Sequence, residues 1–187
     1  MNTETNYLKS IQNEFVYYKS LGEKTIEQLE DDELFWQYNK ESNSVAILIN
    51  HLSGNMKSRW TDFLTSDGEK QWRNRDLEFE AVLNTRKEVL LAWEEGWAIL
   101  FDALNKIESK HFQQEIYIRN QRHSIIEAIN RQLAHYSYHI GQLVFLGKMI
   151  ISEKWKELSI PKNQSTHFNR QKFSKGKHGG HFSDDLE

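Results

Sequence analysis

His135 and His139 stand four residues apart within a stretch whose apolar pattern is helical. Four residues turn an α-helix by about 400° and advance it by about 6 Å, so both imidazoles leave one face and both can reach one metal ion. Eight histidines in 187 residues give about 0.3 such pairs by chance, so this pair takes its weight from its place inside a helix. Two ligands hold a divalent ion weakly. The best third candidate is His51, which follows the apolar run Val45 to Ile49 and projects at the margin of a buried stripe. Gly54, three residues on, leaves room beside that imidazole. Three neutral imidazoles with open coordination positions suit Zn²⁺, Ni²⁺ or Fe²⁺, and the open positions accept water or a substrate atom. Such a centre is a Lewis acid. A plainer reading stands beside it on spacing alone, with His51 a hydrogen-bonded core residue and the pair a polar stripe on a helix margin.

The elements that must present these side chains are helices. One proline, Pro161, and nine glycines leave few breaks before about residue 150. Leu8, Ile11, Phe15, Tyr18 and Gly22 form one amphipathic stripe. After a polar segment, Glu30 to Ser42, Ser44 reads as the N-cap of a second helix carrying Val45, Leu48, Ile49, Leu52, Met56, Trp60 and Phe63. A third helix is predicted from Phe79 through Val82, Arg86, Val89, Trp93, Trp97, Leu100, Leu104 and Ile107, its tryptophans facing the core. Ile116 and Ile118 around a polar turn suggest a short hairpin. Ser124 and Glu127 then form a capping box that opens a fourth helix to about Ile150. The fold class is therefore all-α, a four-helix bundle over residues 1–160 with a long linker, Thr65 to Glu78, between helices two and three. That linker is long enough to cover something. Beyond Pro161, residues 161–187 form a basic tail, docked or disordered, whose Phe168, Phe173, Phe182 and Leu186 are its large apolar groups. The expectation is that it packs across its own bundle or its partner's and partly covers the mouth of the metal site, as a lid would.

Composition removes several function classes. With no cysteine the chain has no disulfide, thiolate metal site, iron–sulfur cluster or cysteine nucleophile. Lys and Arg number 24 against 27 Asp and Glu, a net charge of −3, which does not describe a general nucleic-acid binder. The opening MNTETNYLKS lacks the pattern of a signal peptide, and the longest apolar run is far short of a membrane span. A cytoplasmic protein with neither nucleic-acid nor membrane partners is expected.

SVAILINHL at 44–52 and HYSYHIGQL at 135–143, the latter carrying H-x-x-x-H-x-G-Q, resemble the DinB/YfiT-like superfamily of bacterial metal-binding four-helix-bundle proteins. The resemblance covers roughly residues 5–150, and the linker W-R-x-R-D-x-E-F, Trp72 to Phe79, is similar to that of an uncharacterised subgroup. It implies a three-histidine divalent-metal site from His51, His135 and His139, and commonly a homodimer. Characterised relatives include S-transferases that use the low-molecular-weight thiols bacillithiol or mycothiol, a mycothiol-dependent isomerase, and proteins proposed as metal-dependent hydrolases. Related sequences often carry a further histidine four residues before the pair. Here that position is Arg131.

Arg131 lies one turn before His135, where its guanidinium can reach an acidic group near the metal or pair with Glu127. Asn55 is placed to bind substrate or to pack, Tyr138 is the better acid of the two flanking tyrosines, and Gln142 can orient an imidazole from behind. Gly141 reads as a close-packing position. No carboxylate has a position that compels a general-base role, and the paired Glu-x-x-His motifs of di-iron bundles are missing. Two functions follow. One is a metal-dependent enzyme that activates a small thiol or water against a small-molecule substrate, S-transferase-like or hydrolase-like; the other is a non-catalytic metal- or ligand-binding dimer.

Overall fold

The computed structural model describes residues 2–185, so Leu186 lies outside the described residues. Four long helices form the bundle: α1 (Thr3–Gln28), α2 (Val45–Trp60), α3 (Arg86–Asn105) and α4 (Ile125–Ile151). The helix starts follow from capping chemistry. Asn2, Ser44, Thr85 and Ser124 each accept a hydrogen bond from an amide of the first turn, and Thr85–Glu88 and Ser124–Glu127 are complete capping boxes. Helix three thus begins at Arg86 and not at Phe79. The apolar spacing continues upstream, but Thr85 has extended backbone, and residues Asp76–Phe79 form a separate 3₁₀ turn.

Phe15 of α1 sits at the centre of the core, its ring 6.2 Å from Trp60, 6.3 Å from Trp97 and 6.0 Å from Tyr136, so one side chain touches all three other helices. Trp93 and Trp97 are core residues, as their spacing requires. At Gly22 an added Cβ would stand 2.2 Å from the Trp93 ring; the missing side chain is what lets α1 and α3 approach there. The helix α2 is buried nearly all round, polar residues included, which makes it the natural carrier of an internal site.

The expected hairpin is present. Strand β1 (Glu115–Ile118) pairs antiparallel with β2 (Gln121–Ser124), and Arg119 and Asn120 both have positive φ, as a two-residue hairpin turn demands. Asp67 of the linker holds that turn, its carboxylate accepting from the amides of Arg119 and Asn120, each at 2.8 Å, and of Glu69 at 2.7 Å. Since β2 runs directly into α4, the linker, the hairpin and the histidine-bearing helix are tied together.

Past the bundle, α5 (Ser165–Ser174) buries no residue, and Phe173 is 81% exposed. The tail's contacts go to α1: the Phe182 ring lies 4.9 Å from Tyr17, and His181 Nε2 is 3.3 Å from Glu14. No tail residue lines the cleft at the histidines. Within this chain the cleft is lined by the linker residues Arg73 and Arg75 instead. No helix among the described residues is long and apolar enough to cross a membrane.

Candidate metal centre

His51 reaches the centre from α2, and His135 and His139 from α4. Their Nε2 atoms converge: His135 lies 3.3 Å from His51 and 3.1 Å from His139, and one nitrogen from each ring falls within 4.8 Å of the others. Bonds of about 2.0–2.1 Å at tetrahedral angles hold ligand nitrogens about 3.3–3.4 Å apart, close to the two approaches that His135 makes. These residues could hold a metal ion.

The outer nitrogens fix the tautomers. His51 Nδ1 donates to Glu78 Oε2 at 2.9 Å and His139 Nδ1 donates to Gln142 Oε1 at 2.7 Å. In its neutral form a ring held this way points the lone pair of Nε2 inward. His135 can offer one proton to one of them, which leaves lone pairs facing each other unless a cation stands between. Burial, then the two neighbouring imidazoles and the charges of Arg59 and Arg73, push His135 down to about 3. It is neutral, the form that ligates, throughout the ordinary pH range. Burial also lowers His139, against the pull of Gln142.

Glu78 is the residue that the sequence pattern did not reveal. Its carboxylate accepts from Arg73 Nε at 2.7 Å on one oxygen, and from Arg73 Nη2 at 2.8 Å and His51 on the other. Burial alone would raise its pKa, but the bonds from His51 and Arg73 hold it below the usual carboxylate range. Behind it, Glu69 accepts from Arg73 and Arg59, each at 3.0 Å. Phe79 stacks on the His51 ring at 4.4 Å, closing that side. Gly54 makes room for Glu78 and not, as the sequence suggested, for the imidazole: an added Cβ would lie 2.6 Å from Glu78 Oε1 and 2.8 Å from its carboxyl carbon. Gly54→Ala is therefore expected to displace Glu78 and weaken zinc binding about 10–100-fold, read by competition with a chromophoric chelator. Wild-type affinity in that variant would show that Glu78 does not support the ligand.

The other sequence candidates divide. Gln142 Oε1 accepts from His139 Nδ1. Asn55 lines the cleft; its Oδ1 accepts from the Tyr136 hydroxyl at 3.0 Å, which itself accepts from the Trp60 indole at 3.0 Å. Arg131 lines the cleft too and meets His123 Nε2 at 3.2 Å; it does not pair with Glu127, whose carboxylate caps α4. Tyr138 is 62% exposed and does not line this cleft, though its ring lies 4.9 Å from that of His139. Tyr136 is no substitute, since burial raises its pKa far above the ordinary range. Gly141 makes no close approach within the chain, since a Cβ there would meet nothing within 4 Å.

No curated protein and no solved structure matches the chain. One family model does, over residues 2–164, and the chain belongs to that family, described as "Protein of unknown function (DUF1572)".

Proposed function

We propose that this protein is a DinB/YfiT-like metalloenzyme in which His51, His135 and His139 hold one divalent ion, Zn, Ni or Fe, beside a cleft that admits a small molecule. The observation that carries the reading is the convergence of three Nε2 atoms while the outer nitrogens of His51 and His139 are committed to Glu78 and Gln142. A metal bound there supplies Lewis acidity, which polarises an electrophile or lowers the pKa of a coordinated thiol. The protein's own groups fix the ligands and leave Asn55, Arg131 and Gln132 at the cleft wall for substrate. Both oxygens of Glu78 are occupied, so the nearest carboxylate is not a free base. That favours a small thiol as nucleophile over water, because a coordinated thiol needs no separate base. The same lack of a base supports the second reading, a non-catalytic binding protein. Zinc titration of untagged protein tests the centre, with one equivalent per chain expected, and consumption of a thiol by an electrophile in the metal-loaded protein separates enzyme from binder.

The same proposal includes a homodimer, formed through the outer face of α4. Tyr138, Phe145 and Met149 are exposed there at helical spacing, and Gly141 lies open among them, so a second helix can approach closely. Sedimentation at tens of micromolar is expected to give the dimer mass, and Gly141→Trp to return it to the monomer. A wild-type monomer at that concentration would reject the interface.

A further inference from the structure

The cleft beside the histidines is walled by arginine. Arg59, Arg73, Arg75, Arg119 and Arg131 line it together with Asn55 and Gln132, around a volume of about 200 Å³. In a chain with more acidic than basic residues, five guanidinium groups in one small cleft reverse the charge locally. Two carboxylates face them. Glu69 takes Arg59, Arg73 and, at 3.2 Å, Arg119, while Glu78 takes Arg73. Arg75 lies over the Phe79 ring at 4.9 Å, and Arg131 meets only the imidazole of His123. Among the described residues neither Arg75 nor Arg131 has a carboxylate partner.

A second, independent observation lies in the same wall. Gln132 is buried and its Oε1 has no hydrogen-bond partner, which is costly for an amide unless something in the cleft completes it. The carboxamide nitrogen of Asn55 is likewise without a partner among the described residues, while its oxygen is held by Tyr136. The wall thus offers charged N–H forks, one neutral donor and one neutral acceptor.

We propose that this cleft binds an oxyanion, the phosphoryl or carboxylate group of a small molecule, with Arg75 and Arg131 as its charged donors. Gln132 Oε1 accepts from a hydroxyl or N–H of the same molecule. Planar guanidinium groups bind either oxyanion through paired N–H bonds, which is why arginine rather than lysine suits the task. A polyanionic macromolecule fits poorly, because the side chains of Arg59 and Arg73 are recessed at 6% and 2% exposure and the chain as a whole carries −3. As the identity of a substrate, this rests on the reading of the neighbouring histidines as a metal centre; as a binding site, it does not.

Titration calorimetry with inorganic phosphate and, separately, with succinate tests it, on full-length protein both zinc-loaded and chelator-treated. One site per chain is expected for at least one anion, and the preferred anion tells a phosphoryl from a carboxylate ligand. Arg75→Gln and Arg131→Gln should each weaken binding about tenfold with zinc content unchanged, while Arg170→Gln in the tail leaves it as it was. Failure of both anions to bind in both forms, or wild-type affinity in both cleft variants, overturns the proposal. Anion binding without zinc binding upholds the cleft and rejects the metal centre; zinc binding without anion binding does the reverse.

Discussion

Replacing His135 with alanine is expected to abolish tight divalent-metal binding while leaving the helical circular dichroism spectrum unchanged. Both close nitrogen–nitrogen approaches run through this residue, at 3.3 Å to His51 and 3.1 Å to His139, so its loss leaves two ligands on different helices with nothing between them. The fold survives because α4 is anchored by other residues. Ile125, Ile129, Tyr136, Ile140 and Leu143 bury its inner face, whereas His135 is only half-buried at the cleft. Metal bound to the native state alone stabilises it by about 2.7 kcal/mol at a free concentration one hundred times the dissociation constant. The wild-type protein should therefore melt at a higher temperature when zinc is added, and His135→Ala should not. Unchanged zinc content, or an unchanged zinc-induced shift in melting temperature, would remove His135 from the ligand set.

The sequence reveals those parts of the structure that are periodic. The ligand pair was legible because four residues on a helix are a fixed geometry, and α4 carries its own stripe and its own cap, Ser124 with Glu127. The apolar rhythm of Phe79 and Val82 places the start of helix three seven residues too early, although the cap at Thr85 with Glu88 is present in the sequence. Glu78 and Arg73 lie in an irregular linker, where no period connects them to His51, 27 residues away from Glu78. The motif W-R-x-R-D-x-E-F holds both of them, with Arg75 and Phe79 as well, and its charges find their partners only when the linker folds back over α2. Spacing along α4 does not tell which flank of the histidine stripe is covered; packing does, and it leaves Tyr138 and Gly141 on the open side.

The linker's contribution is measurable at Arg73. Its side chain is 2% exposed and that of Glu78 7%, so their two hydrogen bonds form a buried ion pair, with a third bond from Arg73 to Glu69. Arg73→Met is expected to lower the unfolding free energy by about 3–5 kcal/mol, because it strands a carboxylate that burial penalises and that then has His51 as its remaining partner. Substituting both members, Arg73→Met with Glu78→Met, should recover most of that loss, since a buried pair exchanged for apolar side chains of similar volume is often neutral or stabilising. Metal affinity should behave differently. The double variant restores packing but gives His51 Nδ1 no acceptor, so its zinc affinity should stay about 10–100-fold below wild type. Urea unfolding and zinc competition on the same three proteins separate the two effects. If Arg73→Met cost no more than the ~1 kcal/mol typical of an exposed pair, the linker would be an ordinary surface loop. If zinc affinity returned with stability in the double variant, Glu78 would serve the fold and not the metal.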